Sequence, residues 1–154
     1  MNLFNIIKRL LLLALGFCAL CAPLTLRAEK PVNTTFTGVA IKGYDPVAYF
    51  IASKPIKGSS DFAYDWNGAE WRFESAANRD LFKADPVKYA PQYGGYCAWA
   101  VSRGYTAGID PDAWKIVNHR LYLNYSTKVQ AQWSADIPGN IAKAEENWPK
   151  LLNP

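Results

Sequence analysis

The sequence predicts an α+β domain, a small antiparallel sheet of two or more hairpins packed with short helices, and three observations lead there. Asn67-Gly68 and Asn118-His119 each stand between runs of aromatic and aliphatic residues, the pattern of a tight hairpin turn. Ser75 and Ser126 each precede a stretch with helix-forming composition, as N-caps do. Strand pairs mixed with short helices, with no long alternation of strand and helix, indicate α+β rather than a parallel sheet.

The ordered chain is expected to begin at Gly38, with Val39 and Ile41 in a short strand. Tyr44-Asp45-Pro46 breaks it, because the residue before proline is pushed out of the helical region and Asp favours turns. Val47 to Ile51 is expected to be extended again. In DFAYDWNGAEWRF a two-residue turn at Asn67-Gly68 pairs Trp66 with Ala69, Tyr64 with Trp71 and Phe62 with Phe73. All six side chains then share one face, leaving Asp65, Glu70 and Arg72 for the other. Ser75 caps a helix that turns Leu81 and Phe82 inward and ends before Pro86. Asp85-Pro86 starts a short helical turn, Gly94-Gly95 interrupts the chain, and Tyr96 to Arg103 is helical until Gly104. WKIVNHRLYLNY is the second hairpin; Ser126 caps the next helix, and Pro138 opens a last one reaching about Trp148. No internal repeat, linker or low-complexity tract is evident, so one domain is expected over 38–150, after a flexible polar leader at 29–37.

The N-terminus reads as a signal peptide over 1–28. Lys8 and Arg9 precede an apolar run from Leu10 to Ala22, too short to span a bilayer, which needs about 20 apolar residues. The expected cut follows Ala28, although Leu26 is a poor residue three positions back. Phe17 and Leu20 are too bulky before Cys18 and Cys21 for a lipoprotein signal. The mature form is thus expected in the periplasm or outside the cell, without a membrane anchor, as a monomer or weak dimer. Removing Lys8, Arg9 and Arg27 lowers the 17 basic residues to 14 against 13 acidic, so the formal charge falls from +4 to +1. That near-neutral balance argues against nucleic-acid binding. Of three cysteines only Cys97 remains, so no intramolecular disulfide can form.

The segments YDPVAYF and Tyr64 to Val101, which contains WNGAEWRF, DPVKYAPQYGGY and CAWAV, resemble the YHS domain family, specifically exported bacterial members. The likeness extends over nearly all of 38–150. It implies a small α+β domain, with relatives that include treble-clef-like metal-binding cysteine domains found beside copper-transporting ATPases and in some oxygenases. Metal-binding members carry a pattern like D-P-V-C-G followed by F-C-S-x-x-C. Here Ala48 stands at the first cysteine, and Glu74 and Asn78 replace the other two. The family's thiolate metal site is therefore expected to be lost, and a structural zinc site needs about four Cys or His ligands where the mature chain has two.

Cys97 has four readings: core packing, which its flanks Tyr96, Ala98, Trp99 and Val101 favour; a redox-active thiol; a soft metal ligand paired with His119; or half of a disulfide between two chains. His119 reads first as a turn residue that tolerates positive φ. Gly94-Gly95 reads as a close-packed connector or as a backbone-amide pocket for a small anion. Tyr44, Tyr49, Tyr93, Tyr96 and Tyr105 gather near turns, and with Asp45 and Cys97 they are the candidates for lining a ligand pocket. The resulting expectation is a binding module for a small molecule or metal ion, with copper handling implied by the resemblance alone and the ligand or cofactor unidentified. A thiol-dependent redox protein and a protein-interaction domain are the alternatives. A single histidine and the lack of a cofactor motif lean away from an enzyme.

Overall fold

The computed structural model describes residues 28–154, so the expected signal segment lies, but for Ala28, outside the described residues. Two hairpins form, each closed on itself as a two-stranded antiparallel sheet: β1 (Ser59–Trp66) with β2 (Ala69–Phe73), and β3 (Asp110–Val117) with β4 (Arg120–Asn124). Six helices accompany them: α1 (Ala48–Ile51), α2 (Ala76–Ala84), α3 (Pro86–Tyr89), α4 (Ala98–Ser102), α5 (Thr127–Ser134) and α6 (Ile137–Leu152). The α+β class is as expected, but the hairpins do not join into one sheet.

The turns form as their residues dictate. Asn67 and Gly68 take φ of 51° and 76°, and Asn118 and His119 take 49° and 62°, so both turns use the left-handed region twice. Trp66 faces Ala69 and Tyr64 faces Trp71, but Phe62 does not face Phe73. Three residues, Ser60 to Phe62, stand opposite the single step from Arg72 to Phe73, and Ser59 pairs with Phe73 instead. Just before this bulge the chain lies hard against β2: a Cβ on Gly58 would lie 2.4 Å from the Arg72 carbonyl carbon.

Four further expectations change. Val47 to Ile51 is not extended: the Asp45 carboxylate accepts the backbone N–H groups of Val47 and Ala48 and caps α1 there. Leu81 is 41% exposed, and Phe82 alone carries the inner face of α2. The last helix runs past Trp148 to Leu152, with Pro149 inside its final turn. The leader 29–37 is packed rather than free. Val32 is buried, Asn33 N–H and side-chain amide donate to the carbonyls of Gly94 and Gly95, and Thr34 bridges Ala40.

The internal repeat is the largest correction. Adding 51 to the number carries β1 onto β3, β2 onto β4, Ser75 onto Ser126 and Asp85 onto Asp136. The bulge between Ser59 and Ala63 maps onto the one between Asp110 and Trp114. Ahead of the short helix the spacing is 52: the three consecutive positive φ values of Ile41, Lys42 and Gly43 recur at Tyr93, Gly94 and Gly95. Each run is followed by an extended tyrosine (Tyr44, Tyr96), which sets Asp45 opposite Cys97; by Ser53 and Gly104 the spacing is 51. Residues 41–86 and 92–137 are therefore two copies of one backbone unit: 3-10 turn, short helix, bulged hairpin, capped helix. Within this span only six positions are identical, all but one or two at turns and caps, which is why the sequence shows no repeat.

The two units pack around β4. Leu121 and Leu123 belong to a first core with Trp71, Phe73 and Phe82, while Tyr122 points the other way into a second core with Trp133, Val101 and Ala144. The strand is thus buried on both faces, and its side chains alternate between two cores. Gly94 and Gly95 hold the chain tight at the seam: a Cβ on Gly95 would meet Ile41 Cγ2 at 2.4 Å, and one on Gly94 the Pro31 carbonyl oxygen at 2.0 Å. The close-packing reading of the glycine pair accounts for both contacts.

Candidate functional site: two equivalent nodes, one closed and one open

Each unit has a node where its short helix begins. In the first, the buried Asp45 carboxylate accepts from Val47 N–H (2.8 Å), Ala48 N–H (3.3 Å), Glu74 N–H (3.0 Å) and the Asn78 side-chain amide (2.7 Å). Oxygen lone pairs here are matched by donors, which is what a fully buried carboxylate requires. Ala48, Glu74 and Asn78 all meet at this carboxylate.

In the second unit Cys97 takes the same place. Its Sγ accepts from Tyr125 N–H at 3.3 Å and lies near the amides of Trp99 and Ala100, two and three residues on, without a capping hydrogen bond to α4. Tyr125 is the counterpart of Glu74. The thiol donates to Asn124 Oδ1 at 3.8 Å, and the same oxygen accepts from Trp99 N–H at 3.2 Å, so Asn124 helps to cap α4. Cys97 is only 1% exposed, and burial pushes its thiol up from the usual value despite those amides, which pull it down. A neutral, buried thiol is a poor nucleophile.

The contrast lies in what surrounds the node. Asn78 closes the first node with its amide; its counterpart Val129 offers no polar group. Trp99 stands for Val47 and Tyr125 for Glu74. A cleft of 270 Å³ opens over the sulfur, between Trp99, Tyr105, Tyr125 and Val129, with Ala100 and Ala107 beside Cys97. Tyr105 and Tyr125 are 51% and 61% exposed and form its rim. The Arg103 guanidinium stacks on the Trp99 ring, 4.0 Å from its centroid, and is the cation nearest this wall.

The sequence-predicted site residues do not gather in one pocket. Tyr44 and Tyr49 pack with the first core, Tyr44 under the Lys57 ammonium and Tyr49 donating its hydroxyl to the Pro111 carbonyl at 3.0 Å. Tyr93 and Tyr96 pack against Trp148 in the second. Burial, before any neighbouring charge, pushes the phenols of Tyr49, Tyr93 and Tyr96 up, as it does for core tyrosines. Of the seven candidates, Cys97 and Tyr105 line the cleft. Tyr125 and Val129 carried no signal in the sequence, since only the return of α5 over β4 brings them to Cys97.

Metal ligation by Cys97 and His119 fails on geometry. His119 is exposed at the β3–β4 turn, whereas Cys97 bridges Leu123 at the far end of β4. Four strand residues separate those levels, about 13 Å at ~3.3 Å per residue, against metal–ligand bonds of about 2.0–2.3 Å. Among the described residues no three His, Cys, Asp or Glu side chains gather as a metal site. No family model, curated protein or solved structure matches this chain.

Proposed function

We propose that this chain is an exported, YHS-like binding module that holds a small aromatic molecule in the cleft beside Cys97. The cleft itself carries the proposal: a 270 Å³ apolar hollow flanked by two exposed tyrosines and a tryptophan. Ligand sites for drug-sized molecules run from about 300 to 1,000 Å³, so this one suits a molecule of one or two rings. Arg103 on the Trp99 face favours a carboxylate on that ring over an amine. Export is supported by the N-terminal basic and apolar pattern, and no helix among the described residues is long and apolar enough to cross a membrane. The family assignment draws support from the convergence of Ala48, Glu74 and Asn78 at Asp45. Thiol redox chemistry loses its ground, because Cys97 is buried and burial pushes its thiol up from the usual value.

Thermal melting with benzoate, indole and benzylamine tests this reading. Concentration-dependent stabilisation is expected in the order benzoate, indole, benzylamine, and should vanish in Val129→Trp, which fills the cleft. Ala107→Leu is the second cleft-filling variant should the first unfold. Melting unchanged by all three compounds at millimolar concentration overturns the proposal.

A further inference from the structure

The two nodes are the same piece of backbone, yet one is sealed and the other opens to solvent. We infer that positions 78 and 129, with the cap residues 45 and 97, decide between those states, so that Val129 and Cys97 are the specificity-determining residues of the cleft. This rests on the binding reading above and deepens it.

In the first unit the Asn78 amide reaches from the first turn of α2 to the Asp45 carboxylate at 2.7 Å and also lies 3.4 Å from Glu74 Oε1. A side chain reaching across in this way occupies the space over the cap. In the second unit α5 begins from an equivalent Ser126 cap, and Val129 holds the equivalent place in its first turn. Valine neither reaches nor donates, and a thiol accepts hydrogen bonds weakly, so nothing draws α5's first turn over Cys97. The hollow between them is the space that an amide fills in the other copy. Its chemistry follows from the substitution: a polar bridge replaced by a sulfur and an isopropyl group leaves a site for a flat apolar ring, with polar contact confined to its rim.

The closing experiment transplants the sealed node. Cys97→Asp combined with Val129→Asn should reproduce the carboxylate–amide bridge. Side-chain amide signals of the new asparagine should be shifted and protected from exchange, as those of Asn78 are, and benzoate affinity should fall at least tenfold. Val129→Asn alone, lacking the carboxylate, should weaken binding less. If the double variant folds, shows free amide signals and binds benzoate like the parent, the inference is overturned while the binding reading stands. If the parent binds no aromatic probe but the amide is protected in the double variant, the binding reading fails and the equivalence of the nodes holds. Should the double variant not fold, Val129→Gln with Cys97 retained supplies the longer donor, and parent-like benzoate binding by that variant overturns the inference.

Discussion

The first and second units share one backbone path and differ in what fills it. The first places its turn helix on a carboxylate saturated by four donors and turns an aromatic hairpin inward, with Trp66, Trp71 and Phe73 around Phe82. The second places a thiol where the carboxylate stood, buries both faces of β4, and leaves an aromatic-rimmed hollow beside the thiol. The same fold thus supplies rigidity in one copy and a site in the other. Recognition chemistry belongs where the polar closure is missing, and a lone cysteine need not be the reactive group of the site that it lines.

If the units are equivalent, their central aromatics should matter equally. Phe82 and Trp133 occupy matching positions and are both fully buried. Phe82→Ala and Trp133→Ala should each cost about 3–5 kcal/mol in urea unfolding. A loss confined to one of them would break the equivalence.

The nodes themselves should differ. Asp45→Ala strands two backbone N–H groups, a third from Glu74 and the Asn78 amide, and should cost about 3–5 kcal/mol. Cys97→Ala removes one weak acceptor and a small apolar group, and should cost about 1–2 kcal/mol. Similar losses at both would mean that the thiol is a stronger acceptor than its chemistry allows.

A subtler difference appears with pH. Cys97, Tyr49 and Tyr93 have their proton-loss values raised by burial in the folded state. Between the unfolded and folded values the unfolded chain holds fewer protons, so stability falls as pH rises. The decline should begin near the unfolded thiol value of about 8.5 and steepen near the phenol value of about 10. Cys97→Ala should delay its onset. A thiol reagent at neutral pH should modify Cys97 slowly in the native protein and fast in urea; equal rates would restore the reactive-thiol reading.

The smallest effect belongs to His119. His119→Asn keeps a residue tolerant of positive φ at an exposed turn, so stability should change by no more than about 0.5 kcal/mol. A large loss on this change would show that the imidazole does more than turn the chain.

Much of this was legible where local chemistry decides. Asn67-Gly68, Asn118-His119, Ser75 and Ser126 announce turns and caps because backbone conformation and short hydrogen bonds need those residue types. Helix α1 was not legible, since its cap is a carboxylate also fixed by Glu74 and Asn78, far along the chain. The bulges were hidden because no residue type marks them: Gly58 precedes one and Ile109 the other. The packed leader is anchored by carbonyls of Gly94 and Gly95, which no composition reveals. The repeat survived only in turns and caps, while Trp99, Tyr125 and Val129 diverged from Val47, Glu74 and Asn78. The site lies in that divergence, so no motif marks it.

The most direct measurement is amide and side-chain chemical-shift mapping during a benzoate titration of the unmodified protein. Saturable shifts at Trp99, Tyr105, Tyr125 and Val129, with Ala48, Glu74 and Asn78 unmoved, are the predicted result. Shifts centred on the Asp45 node, or none at the cleft at millimolar benzoate, would contradict the assignment of recognition to the second unit.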